Sequence, residues 1–128
     1  MIRCKRVYDA VEDDDGQRVL VDRLWPRNKR KQDLQGQWLR EVAPSNDLRK
    51  AFHQGEVDYP EFVRLYRQEL AAHPEYWYPL LDVAAKGNLT LLYAARDQGH
   101  NNAQVLADWL EEEGDRRQAV SSPVCYLQ

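Results

Sequence analysis

A small α/β domain, three-layer-like in outline, is the fold class that the sequence predicts: a short, mostly parallel sheet with helices packed on it. Three observations predict it. The run Leu89-Thr90-Leu91-Leu92-Tyr93-Ala94-Ala95 is nearly continuous in apolar character, as expected for a parallel strand covered on both faces. Segments follow in the order strand, strand, three or four helices, strand, helix. A length of 128 residues, 43% hydrophobic and 30% charged, suits one compact domain with one core.

The first strand is expected over residues 2 to 8, with Ile2, Cys4 and Tyr8 on one parity and Arg3, Lys5 and Val7 on the other. Residues 9 to 16 hold three consecutive aspartates and Gly16 and read as a loop. The second strand is Arg18-Val19-Leu20-Val21-Asp22, β-branched and apolar through its middle. Pro26 ends regular pairing, and a basic stretch leads to a short amphipathic segment around Trp38, Leu39 and Val42.

Ser45 is a good N-cap for a short helix over residues 46 to 52, with His53 at its end. The next helix starts at Asp58, with Pro60 in its first turn and Glu61 three residues on, and buries Phe62, Leu65, Tyr66 and Leu70. A third helix is expected over 74 to 86, with Gly87 as its stop and Pro79 as a kink or restart. The last runs from about 101 to 113, buries Ala103, Leu106 and Leu110, and stops at Gly114. Residues 1–114 thus form the domain and residues 115–128 an irregular tail.

Composition excludes several classes. No apolar run approaches the roughly 18 residues of a membrane span, and the basic start at Met1-Ile2-Arg3 is followed by an acidic loop instead of a signal-peptide core, so a cytoplasmic protein is expected. Cys4 and Cys125 stand at opposite ends of the chain, which matches neither a disulfide framework nor a CxxC site; Cys4 reads as a packing residue. His53, His73 and His100 fit no zinc signature, so no metal is expected, and nothing names a cofactor. GxSxG, GxxxxGK[ST] and GxGxxG are all missing.

Charge is uneven: residues 1 to 53 carry +3 and residues 54 to 128 carry −6. The densest cationic stretch, Arg27-Asn28-Lys29-Arg30-Lys31, reads either as a solvated loop or as a contact for phosphate. A chain pI near 5.6 disfavours nucleic acid as its partner.

Polar residues follow two apolar strands directly: Asp22-Arg23 after the second and Arg96-Asp97 after the last. Ligands of open parallel sheets bind beyond the carboxyl ends of strands, so these pairs are expected to converge there, joined by Arg6 and Tyr8 if the first strand runs the same way. The opening of the last helix adds unpaired N–H groups and a positive dipole end. The expected site is therefore a pocket for a small anion, with Arg6, Tyr8, Arg23, Trp25, Arg27, Arg96 and Asp97 as ligand-binding residues. Asp22 or His100 would be its acid or base if it is an enzyme, and His53 faces the same space. Ion pairs that simply hold the strand ends are the alternative for the arginines, and bonding to backbone at the helix entry is that for His100. For the whole chain, the alternative is a non-catalytic regulatory or interaction module that meets nucleic acid or an acidic partner through its basic loop. The sequence leaves the oligomeric state open.

Four stretches, Lys5-Arg6-Val7-Tyr8, Arg18-Val19-Leu20-Val21-Asp22-Arg23-Leu24-Trp25-Pro26-Arg27, residues 45 to 53 and Leu91-Leu92-Tyr93-Ala94-Ala95-Arg96-Asp97, resemble the YeaO-like branch of the DUF488 family over about residues 1 to 113. The resemblance implies a small cytoplasmic bacterial α/β protein with motif residues at strand ends, and no settled reaction. Asn28 stands where glycine usually follows the Trp-Pro-Arg motif, and asparagine tolerates the left-handed turn. More distant members look like they carry Cys-Ala-Glu and Cys-His-Arg where this chain has Tyr93-Ala94-Ala95 and His100-Asn101-Asn102, so the resemblance brings no thiol chemistry with it. Tyr93 either substitutes as a polar group or packs.

Overall fold

The computed structural model describes residues 1–121, with side chains as far as Arg117. Four strands, β1 (Ile2–Arg6), β2 (Gln17–Leu20), β3 (Gln37–Trp38) and β4 (Leu89–Tyr93), form one sheet in the order β1-β4-β2-β3, and every pairing is parallel. The helices are α1 (Asn46–His53), α2 (Tyr59–Ala72), α3 (Pro74–Lys86) and α4 (Asn102–Ser121). β4 is central and buried along its whole length, which is what its unbroken apolar run requires.

Strand alternation sorts the core into two faces. Val19, Val21, Leu89, Leu91 and Tyr93 meet the helices, against Phe62 and Tyr66 of α2, Trp77 and Leu81 of α3, and Leu106 and Leu110 of α4. The opposite face carries Val7, Leu20 and Leu92, and loop residues cover it: Leu34 and Trp25, with Trp38 at the edge. Trp25 packs edge-on against Trp38 at 5.3 Å and donates its indole N–H to Lys29 O. It therefore helps to close the second core.

Helix starts follow the capping residues read from sequence. Ser45 Oγ accepts from the Leu48 amide at 3.2 Å, and Asp58 Oδ1 from the Glu61 amide at 2.9 Å. Pro79 lies inside an unbroken α3 because it is exposed, so the Glu75 carbonyl that it cannot bond is left for water. Gly114 does not stop α4, which continues to Ser121 in place of the irregular segment expected from residue 115. The remainder of that expected tail, with Cys125, lies outside the described residues.

The acidic loop hides the largest departure from the sequence reading. Asp15 ends a 3-10 turn (Asp13–Asp15) and is only 1% exposed, on the loop-covered face of the sheet. Its carboxylate accepts from Lys5 Nζ at 3.0 Å, from the Glu12 amide at 3.2 Å and from the Arg18 guanidinium, itself buried. Thr90 Oγ1 donates to the Asp15 carbonyl at 2.7 Å. One polar layer thus joins β1, β2 and β4. Gly16 follows with φ 64, and a Cβ there would stand 2.2 Å from Asn88 O, so only glycine lets the chain turn into β2 beside β4.

Burial alone would raise the Asp15 pKa, but the Glu12 amide, Lys5 and Arg18 outweigh it and hold the carboxyl below its ordinary value. Only its own partners separate it from water, so Asp15→Asn is expected to cost about 3 kcal/mol at neutral pH, near the lower end for a broken buried pair. Because the folded pKa is depressed, this advantage is full above the unfolded value of 3.8 and is lost as pH falls through the folded one. Urea denaturation of both proteins between about pH 7 and about pH 2 checks this; a difference independent of pH contradicts it.

Candidate functional site at the carboxyl rim

All four strands end on the same side, so β1, β4 and β2 deliver Arg6, Ala94 and Asp22 to one rim. From that rim β4 leads into α4 on the helix face, whereas the chain after β2 passes to the loop-covered face. In open parallel sheets ligands are taken where neighbouring exits diverge in this way.

Asp22 stands where the exits of β2 and β4 diverge. Its Oδ2 accepts from the Ala94 amide at 2.9 Å, and its carbonyl accepts from the Trp38 indole at 2.8 Å. Asn102, the first residue of α4, donates its side-chain amide to Val21 O at 2.9 Å and ties the helix start to the same place. Burial is the largest influence on Asp22 and pushes its carboxyl above the ordinary value; the Ala94 amide, Asn102 and the charge of His53 pull against it. The imidazole that bears on Asp22 is thus that of His53, at the end of α1.

The expected site residues divide into struts and free groups. Arg6 donates to Ala95 O at 3.0 Å and Ala94 O at 3.1 Å, and its guanidinium lies 5.0 Å from the Tyr8 ring centroid. Arg23 donates to Pro44 O at 2.9 Å and Ala43 O at 3.2 Å. Tyr8 donates to Arg27 O at 2.7 Å. The side chains of Arg27 and Arg96 are exposed, with no hydrogen bond or ion pair among the described residues. Arg6 and Arg23 therefore brace backbone carbonyls, where the sequence alternative had Arg23 and Arg96 pairing with carboxylates.

Asp97 and His100 shape the entry to α4. Asp97 Oδ1 accepts from the Gly99 and His100 amides, both at 3.0 Å, and these amides hold its carboxyl below the ordinary range. The His100 ring stacks on Tyr59 at 4.4 Å and sits 3.6 Å from Asp97 Oδ2. Asn101, 2% exposed, caps the helix: its Oδ1 accepts from the Gln104 amide at 2.8 Å, and its Nδ2 donates to Asp97 O and Gln98 O. Ahead of Gln104, the amides of Asn102 and Ala103 have no acceptor among the described residues.

Sequence reasoning placed the helix start near Asn101 but assigned no role to either asparagine, although paired Asn before an apolar-periodic stretch is a cap signal. It also passed over Arg49, whose Nε is buried without a partner; no local signal marks it. Cys4 packs against the helix-side core, and burial, with Asp108 and Glu111 behind it, pushes its thiol up to about 12, which removes it as a nucleophile. Tyr93 packs too, at 3% exposed. Glu12, Asp14 and Asp15 gather closely enough to hold a cation, but Lys5, Arg3 and Arg18 already occupy them.

A model described as the inactive DUF488-N3 subclade matches residues 1–127. The chain belongs to the DUF488 family. It is 54% identical over 110 residues to "Uncharacterized protein YeaO" of Escherichia coli strain K12, covering 85% of this chain and 96% of that protein. It is 40% identical over 113 residues to "Uncharacterized protein Rv3073c" of Mycobacterium tuberculosis and to "Uncharacterized protein Mb3100c" of Mycobacterium bovis, in each case covering 85% of this chain and 92% of the other. No solved structure matches the chain. The YeaO-like resemblance is thereby established, and Asn28 does take the left-handed conformation, at φ 59, in place of the usual glycine. Among the described residues no helix is long and apolar enough to cross a membrane.

The raised carboxyl of Asp22 makes the folded state hold its proton more readily than the unfolded chain does. The stability difference between wild type and Asp22→Asn is therefore expected to shift against wild type as pH rises from 3.8 through the folded value. Thermal melts of both proteins across that range measure it, and a difference that does not move contradicts the desolvation of Asp22.

Proposed function

We propose that this chain is a non-catalytic binding domain of bacterial cytoplasm that takes a small anion, a phosphate or carboxylate group, at the carboxyl rim. The observation that carries this reading is the start of α4: the Asn102 and Ala103 amides lack acceptors among the described residues where the helix opens on the rim, and Arg96, exposed and unpaired, follows β4 at the same rim. Unbonded amides and the positive dipole end favour an anion there. Arg6 and Arg23 contribute through charge. Their carbonyl partners use their hydrogen bonds without neutralising them.

Binding without catalysis is supported by the description of the subclade as inactive and by the state of the two acid–base candidates. Asp22 is half-buried and accepts from the Ala94 amide, and His100 is stacked on Tyr59 and turned to Asp97. In this reading Asp22 and His100 shape the site together with Asp97, Tyr8 and Trp25. Arg27, exposed and unpaired, adds to the positive rim.

Titration of the 15N-labelled protein with inorganic phosphate, at constant ionic strength, tests the reading. Saturable shifts are expected at the amides of Arg96, Asn102 and Ala103, and Arg96→Gln is expected to weaken binding about tenfold, the scale of one charge-assisted contact. Shifts that do not saturate, or that Arg96→Gln leaves unchanged, overturn it. Arg23→Ala, in contrast, is expected to lower the melting temperature, since it leaves two carbonyls without a donor.

A further inference from the structure

A cavity of about 310 Å³ lies between the 3-10 turn Arg40–Val42, the start of α1, the second half of α2 and the first turn of α3. Its charged lining is Glu41, Glu69 and Arg23, two carboxylates to one guanidinium. Glu69 is half-buried and fixed: Oε1 accepts from the Ser45 amide at 2.9 Å and Oε2 from Ser45 Oγ at 2.6 Å. No cation pairs with Glu69 or with the exposed Glu41 on the same wall, among the described residues. Arg23 also lines the cavity but directs two of its nitrogens at Pro44 O and Ala43 O. Opposite stands a flat aromatic surface, in which the His73 ring stacks on Tyr76 at 4.9 Å and 19° and is turned to Glu75 by a 3.1 Å contact.

The lining selects its ligand by three requirements. A half-buried carboxylate held in place but without a counter-ion favours a cation, since its hydroxyl and amide partners satisfy lone pairs and leave the charge. The face of Tyr76 favours the same sign through its quadrupole. A planar head meets both at once, lying along the ring while its N–H edge reaches a carboxylate, and guanidinium does this better than ammonium. Leu70 and the buried Val42 supply apolar wall for a short stem. We propose that this cavity binds a small alkylguanidinium compound, with its head between Tyr76 and the Glu41 and Glu69 carboxylates. This site shares Arg23 with the rim but takes a ligand of the opposite charge, and it does not depend on the anion reading.

Methylguanidinium chloride is the probe, titrated into the intact 15N-labelled protein with sodium chloride making up a constant chloride concentration. Saturable shifts at the amides around Glu69 and Tyr76 are expected, with n-butylammonium binding more weakly. Glu69→Gln risks loosening the start of α1, so Glu41→Gln and Tyr76→Ala carry the test, each expected to weaken binding about fivefold while leaving the melting temperature and the phosphate response intact. Shifts that never saturate, or affinity that both variants leave unchanged, overturn the proposal.

Discussion

The hydrogen bond from the Ala94 amide to Asp22 Oδ2, at 2.9 Å, joins the exits of β4 and β2 at the point where the chain leaves them in opposite directions. Everything at the rim is arranged around it. The bond fixes the start of the segment that becomes α4, and Asn102 returns to Val21 O to close the same loop from the helix side. The carboxylate is costly to keep there, because burial opposes its charge. A neutral residue of similar shape would brace the strands without that cost.

The arginines around it turn on a distinction between satisfying a hydrogen bond and neutralising a charge. Arg6 and Arg23 point their N–H groups at the carbonyls of Ala95, Ala94, Pro44 and Ala43 and so act as clamps between strand ends and loops. Carbonyl dipoles leave the positive charge in place. The loop-covered face uses the opposite device, in which Asp15 and Glu12 together neutralise Lys5 and Arg18 directly. The sheet is thus braced by compensated ions on one side and by uncompensated cations at its carboxyl end, and only the latter leave a field for a ligand to feel.

What the sequence discloses follows from how local each determinant is. The unbroken run from Leu89 to Tyr93 betrays a central parallel strand, and Ser45 and Asp58 announce helix starts, because a cap acts within three residues. The partners of Arg23 stand twenty and twenty-one positions away, and those of Arg6 nearly ninety, so their bracing role has no local signature. Asp15 reads as one of three solvated aspartates until β1 and β2 bring Lys5 and Arg18 against it. The two-residue β3 is shorter than any periodicity can reveal, and Gly114 continues α4 because a lone glycine lowers helix propensity by only about 1 kcal/mol. At the candidate site the rim itself, its arginines, the nearness of His53 and the entry to α4 are legible, whereas the bond from the Ala94 amide to Asp22, between residues far apart in the chain, is not.

The account rests on an anion held by the first turn of α4, and anomalous diffraction from a crystal soaked in tungstate, a tetrahedral oxyanion like phosphate, locates such a group directly. A peak within hydrogen-bonding reach of the Asn102 amide and the Arg96 guanidinium, lost in the Arg96→Gln crystal, is the predicted result. A rim without a peak, while tungstate settles on the basic loop from Arg27 to Lys31, contradicts it.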